Sequence, residues 1–172
     1  MEKVPIRAIN ILRNNPNAVV LALPDLYPPD VAFPHKTFPE LEQGLRTKFQ
    51  EANKAKGVEE DTRLVNRFKV FCFKHDMEAL LLAAEEALAL VLEVEPLEVT
   101  WTKPVEDQNH NHPPKLIVET LFRAQDKRYI ETNHAPLILG FADYKAVAEA
   151  CPQCFKPLVE FLEGLSPHIE KP

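Results

Sequence analysis

The segment Arg67–Leu92, RFKVFCFKHDMEALLLAAEEALALVL, constrains the fold of this chain more than any other. Phe68, Val70, Phe71, Cys72 and Phe73 form a short apolar run rich in aromatic and β-branched side chains, the composition of a buried strand. Lys74-His75-Asp76 breaks that run. From Met77 the chain consists almost entirely of strong helix formers, with neither Gly nor Pro before Pro96. The pattern predicts one helix from Met77 to Leu92, with Asp76 as its N-cap and Glu78 in its first turn, where the helix dipole favours negative charge. Only Glu85, Glu86 and Glu93 interrupt the apolar surface, so the helix is expected to be mostly buried. Polar chemistry is therefore concentrated at the strand-to-helix junction.

The remaining chain supplies partners for this core. Pro5–Asn14 reads as a short helix, with Ile6, Ile9 and Leu12 or Ala8, Ile11 and Leu12 on one side. Ala18–Leu23, bounded by turn signals, has the continuous apolar pattern of a strand buried on both faces and ends at Pro24-Asp25. A proline-rich run with interleaved aromatics follows as far as Pro39 and implies a loop of fixed shape. Glu40–Lys56 is an amphipathic helix carrying Leu41, Leu45 and Phe49, with Gly57 as its C-terminal stop and 58–66 as a link. Residues 97–102 read as a short strand or extended segment, and Lys103–Pro114 as a polar, mobile loop. Lys115–Ala124 and a segment from Asp143 read as helices. Cys151-Pro152 begins or interrupts a last helix that ends near Leu165, before a frayed tail. No repeat or domain boundary is evident. The order predicts a single α/β domain over 1–172, with a small parallel sheet flanked by helices and a helical C-terminal part.

Composition narrows the function classes. A net charge of −6 argues against nucleic-acid binding through bulk positive charge, though a local basic groove is compatible with it. Three cysteines make no disulfide framework, and MEKVPIR carries no signal-peptide core, so a reducing cytoplasm is expected. Met77–Leu92 is too short and too charged to cross a membrane. With four glycines in the chain, neither GxGxxG nor GxxxxGK occurs. Association with further copies of the chain is left open.

In a parallel sheet, ligands bind beyond the carboxyl ends of the strands. The first predicted strand ends at Asp25 and the second at His75-Asp76, with Glu78 just beyond. If the strands are neighbours, Asp25, His75 and Glu78 share one rim, and their carboxylates suit Mg²⁺. The competing reading makes Asp76 a cap, Glu78 a dipole partner and Asp25 the close of a turn. Cys72-x-x-His75 and Cys151-x-x-Cys154 have zinc-ligand spacing, but Cys72 falls mid-strand, so zinc is not expected. Asn109-His-Asn-His112 reads as a solvated loop. His134 is a site residue or a loop hydrogen-bonder. Lys115, Arg123, Lys127 and Arg128 face either phosphates or solvent.

ILRNNPNAVVLALPDLYPP, FKVFCFKHDMEALLLA, PPKLIVETL, KRYIETNHAPLIL and ACPQCFKPLVEFL, in that order, resemble a Toprim-related family known as domain of unknown function 4276. Its members carry T-x-x-D-x-Y-G-x-P, H-E-F-E-A-L-L, P-S-K-R, Y-x-K-x-x-x-G-P and C-P-H-F elements. The resemblance spans about Asn10 to Leu165 and aligns Asp25, Tyr27, His75, Glu78, Lys115, Tyr129, Pro136 and Cys151 with those elements, with Asp76 where the family has Glu. It implies a nuclease-like, Mg²⁺-dependent domain acting on nucleic-acid phosphodiesters in a bacterial defence system, beside an ATPase partner. Asp25, His75 and Glu78 would be catalytic, with Asp25 and Glu78 on the metal, and Lys115 and Tyr129 would bind substrate; His134, on its site-residue reading, is a further substrate-binding candidate that the resemblance does not mark. The chain departs from the family in two ways. Glu2 is the only acid before Asp25, so the Glu-bearing first strand is expected to be missing, and Pro28-Pro29 replace Gly-Leu. The departures imply a chain truncated, completed by another polypeptide, or serving as a catalytically inactive interaction subunit.

Overall fold

The computed structural model describes residues 3–28, 32–57, 62–94, 97 and 100–165. The chain gathers into two compact units, Met1–Cys72 and Phe73–Pro172. The fold is α/β, with a two-stranded parallel sheet flanked by helices and a helical C-terminal part.

In the first unit, β1 (Val20–Ala22) pairs in parallel with β2 (Phe68–Val70), Val20 opposite Phe68 and Ala22 opposite Val70. Both strands are shorter than their apolar runs. The Phe71 N–H extends the ladder by donating to Ala22 O at 2.9 Å. Helix α1 (Val4–Asn14) buries Ala8, Ile9 and Leu12 and leaves Ile6 and Ile11 exposed, so neither predicted apolar face is the buried one as a set. Helix α2 (Phe38–Ala55) opens on a capping box between Thr37 and Glu40 and buries Leu41, Leu45 and Phe49, as its periodicity predicts. Phe49 stacks on Phe68 of β2 with ring centroids 4.5 Å apart.

The predicted link 58–66 contains a short helix, α3 (Thr62–Arg67); residues 58–61 lie outside the described part. Arg67 at its end donates to Leu12 O, Asn15 O and Ala18 O, at 3.0, 2.9 and 3.0 Å. One guanidinium thereby satisfies carbonyls at the end of α1 and at the approach to β1. The proline-rich segment is pinned as expected where it is described. His35 ring nitrogens lie 2.8 and 3.0 Å from Phe33 O and Leu26 O. Phe33 covers Gly44 so closely that a Cβ there would stand 2.1 Å from its ring.

The second unit corrects the long helix predicted from Met77. It is two helices, α4 (Glu78–Ala83) and α5 (Glu85–Leu92), divided at Ala84, whose ψ of 50° leaves the helical region. Glu85 and Glu86, which look like interruptions of an apolar surface, are first-turn residues of the new helix, where the dipole favours them. The unit continues through a 3₁₀ turn (Val105–Asp107), α6 (Pro114–Ala124), α7 (Glu131–Phe141), α8 (Tyr144–Ala150) and α9 (Phe155–Leu165). Leu81, Leu82, Leu88, Val118, Phe122 and Ile138 form the centre of its core.

Of the two alternatives for 97–102, Thr100–Thr102 form no strand, which leaves the extended segment, and residues 98–99 lie outside the described part. The segment 103–114 is anchored through Val105, Glu106 and Gln108, all buried. Cys151-Pro152 interrupts the helical run, as one of the two alternatives has it: α8 ends at Ala150 and the last helix starts at Phe155. The predicted tail from Ser166 lies outside the described residues. Among the described residues, no helix is long and apolar enough to cross a membrane.

Candidate functional site

The junction acid Glu78 sits in the first turn of α4 and is buried, with a side chain 3 % exposed. A carboxylate taken from water needs donors. Tyr129, just before α7, donates its hydroxyl to Glu78 Oε1 at 3.2 Å, and Lys115 Nζ lies 3.6 Å from the same oxygen. Lys115 also pairs with exposed Glu131 at 2.7 Å. Its ammonium is held above the ordinary lysine range by the bond to Glu131, then by the charge of Glu78. Burial pushes the Tyr129 hydroxyl upward, and Glu78 adds to this. The His134 ring lies beside Tyr129, centroids 5.9 Å apart, and 4.6 Å from that of Phe122, while its Nδ1 accepts the Ile130 N–H at 2.8 Å. Glu78, Lys115, Tyr129 and His134, distant in sequence, are therefore neighbours.

Asp76 does not cap its own helix. Helix α4 follows Met77, which makes no side-chain cap bond, and Asp76 Oδ2 instead accepts the Lys115 N–H at 3.3 Å. The reason is local to α6: its N-cap residue is Pro113, with no polar side chain, so Asp76 supplies the acceptor from outside.

His75 turns towards other partners. Its buried ring meets His110 edge-on, centroids 5.2 Å apart. Burial, then the neighbouring His110, lower its pKa, against an opposing bond to the Gln108 backbone. Beside it, Lys74 pairs with Asp107, and Gln153 bonds both, at 2.7 Å to Lys74 and 3.0 Å to Asp107. The bonds from Lys74 and Gln153 hold the Asp107 carboxyl below its usual range. His75 and Glu78 thus engage different groups although they are three residues apart.

In the first unit, Asp25 is half-buried beyond the end of β1. It lines a cleft of about 380 Å³ whose other walls, among them Val4, Leu21, Pro28 and Leu45, are apolar.

Sequence reasoning missed Glu106. Its buried carboxylate accepts the Gln153, Cys154 and Phe155 N–H groups at 2.6, 2.8 and 3.4 Å, capping the start of α9. An acid inside a polar loop carries no local mark of such a role. Cys151 and Cys154 are buried beside this cap, and burial, then the charge of Glu106, push the Cys151 thiol up to about 12. Cys72 is buried at the end of the first unit.

The donor set does not suit the expected Mg²⁺. That ion prefers an open set of carboxylate and water oxygens, whereas Glu78 already faces an ammonium and a phenol. Among the described residues, no group of three or more His, Cys, Asp or Glu is placed to hold a metal.

A short parallel sheet with a buried acid at a strand-to-helix junction defines an α/β protein whose junction is built around Glu78. The sequence matches the family described as Domain of unknown function (DUF4276) over residues 2–163, and the chain belongs to that family. No curated protein and no solved structure matches it.

Proposed function

We propose that this chain is a non-catalytic interaction subunit that docks onto a partner protein, such as an ATPase, in a bacterial defence system. The observation that carries this reading is a row of uncovered apolar side chains in the second unit. Leu137 and Phe141 lie one turn apart on α7, Ile130 is exposed at its N-cap, and Tyr144 opens α8. Phe141 is 60 % exposed. Apolar side chains grouped on a surface mark interaction sites. The commitment of Glu78 to Lys115 and Tyr129 agrees with a structural use of the junction.

The test has two arms. Purified protein incubated with plasmid and Mg²⁺ or Mn²⁺ leaves the DNA intact; cleavage that disappears in Asp25→Ala overturns the proposal. Co-expressed with an ATPase encoded beside it, the chain co-sediments with that protein. Leu137→Asp with Phe141→Asp abolishes the complex while thermal stability is retained.

A second reading is favoured by the parallel register of β1 and β2, which brings their carboxyl ends side by side. It is Mg²⁺-dependent nucleic-acid phosphodiester processing centred on Asp25 in the first unit, with the remaining metal ligands supplied by another polypeptide. Mn²⁺ binding detected by calorimetry and lost in Asp25→Ala is its expected signature.

A further inference from the structure

The second unit holds a cleft of about 790 Å³ that neither reading above uses. It lies between Thr100–Thr102, the turn Gln108–His112 and the outer side of α6. Its volume falls within the range of small-molecule sites.

The cleft is built by specific bonds. The Gln108 side chain is buried and spans its two edges: Oε1 accepts the Thr102 N–H at 3.1 Å, and Nε2 donates to Thr102 O and Val105 O at 2.7 and 2.9 Å. Asn109 Oδ1 accepts the Asn111 N–H at 2.8 Å and shapes the turn. A wall fixed before binding loses little entropy when a ligand arrives.

The lining specifies the ligand. Trp101, Leu116 and Ile117 give apolar surface, while Thr102, Asn109 and His112 give hydrogen-bonding groups. No Lys, Arg, Asp or Glu lines the cleft among the described residues, so the bound moiety is uncharged. A flat ring with two apolar faces and one polar edge fits both kinds of surface. The Trp101 indole nitrogen is buried without an acceptor, an unsatisfied donor that calls for explanation. A small turn of the ring towards a ligand carbonyl would satisfy it.

We propose that this cleft binds an unpaired nucleobase, carried either by a free nucleoside or by a single strand. Stacking and edge hydrogen bonds are how proteins hold such bases. The absence of cations from the lining favours the nucleoside, because strand binding depends on phosphate contacts.

Trp101 is the only tryptophan, so its indole N–H gives one NMR cross-peak that reports on the cleft. The full chain is titrated with uridine, adenosine, oligothymidylate and glucose. The expected result is a saturable shift with at least one nucleoside and none with glucose. A shift with oligothymidylate at lower concentration identifies the strand as the source, and its absence the free nucleoside. Thr120→Phe, which fills the cleft, removes the response. Asn109→Ala with His112→Ala, at the exposed rim, weakens it about tenfold through the lost hydrogen bonds and covers the case in which Thr120→Phe fails to fold. No saturable shift with any base, an equal shift with glucose, or a response unchanged in the folded variants overturns the proposal.

Discussion

Tyr129 donates its hydroxyl to Glu78 Oε1 at 3.2 Å, across 51 residues of chain. Because Glu78 is buried, its partners are worth more than a surface pair. Tyr129→Phe is expected to cost about 1.5–3 kcal/mol, the usual range for a hydrogen bond to a charged group. Lys115→Met is expected to cost about 2 kcal/mol, less than a fully buried pair because Lys115 is partly exposed. Glu78→Gln, which retains an acceptor for Tyr129, is the mildest of the three. Urea midpoints at unchanged slope measure the differences, and a neutral Tyr129→Phe removes the structural role assigned to this bond.

His75 makes the protein sensitive to acid. Burial and His110 place its folded pKa below the ordinary 6.5. The unfolded chain therefore takes up the proton first as pH falls, and stability is lost downward from about pH 6.5 through the depressed folded value. Melting temperature should fall between neutral pH and pH 5, and fall less in His75→Gln. Equal slopes for the two proteins would exclude His75 as the source.

Cys151 sets the opposite limit. Its thiol rises from an ordinary 9.0 to about 12, chiefly through burial and secondly through Glu106. The unfolded chain loses this proton first, so the contribution is intact below pH 9 and is lost as pH climbs towards about 12. Native Cys151 should resist a disulfide reagent at pH 8, where the thiolate is scarce. Glu106→Gln should speed its modification and, by weakening three helix-start bonds, lower stability by about 2 kcal/mol. Rapid labelling of the folded wild type would contradict the burial described.

Arg67 is the clamp of the first unit. Its three carbonyl partners are arranged for a planar, forked donor that a lysine cannot reproduce. Arg67→Lys should therefore lose most of what Arg67→Ala loses, about 2 kcal/mol. Amide exchange at Leu12–Ala18 should quicken in both. Full rescue by lysine would show that charge alone suffices.

Helices α1, α2 and α6 were legible because each carries a 3.6-residue apolar period over several turns. The parallel strands were legible from two short apolar runs ending in polar residues. The break at Ala84 was not, since alanine is the strongest helix former and its departure from helical ψ reflects tertiary packing. Asp76 illustrates the same limit: a residue with the local signature of a cap serves a different helix, because Pro113 leaves α6 without its own. At the site, Glu78, Lys115 and Tyr129 were each marked by the resemblance, and His134 only as a site residue or a loop hydrogen-bonder. Their mutual contact was not, because spacing along the chain says nothing of which charges meet. Glu131 and Glu106 gave no signal, being acids in polar surroundings whose partners are fixed only by the fold.

Two helices of the second unit begin on a carboxylate delivered from elsewhere in the chain, α6 on Asp76 across 39 residues and α9 on Glu106 across 48. Their starts are thus assembled by closure of the unit instead of being encoded where they stand. A circular permutant opened between residues 108 and 113 would keep every side chain yet replace the short peptide tether between each acid and the helix it serves by the longer path through the joined termini. Such a rearrangement should melt in a broader transition than the parent, with α6 and α9 fraying together.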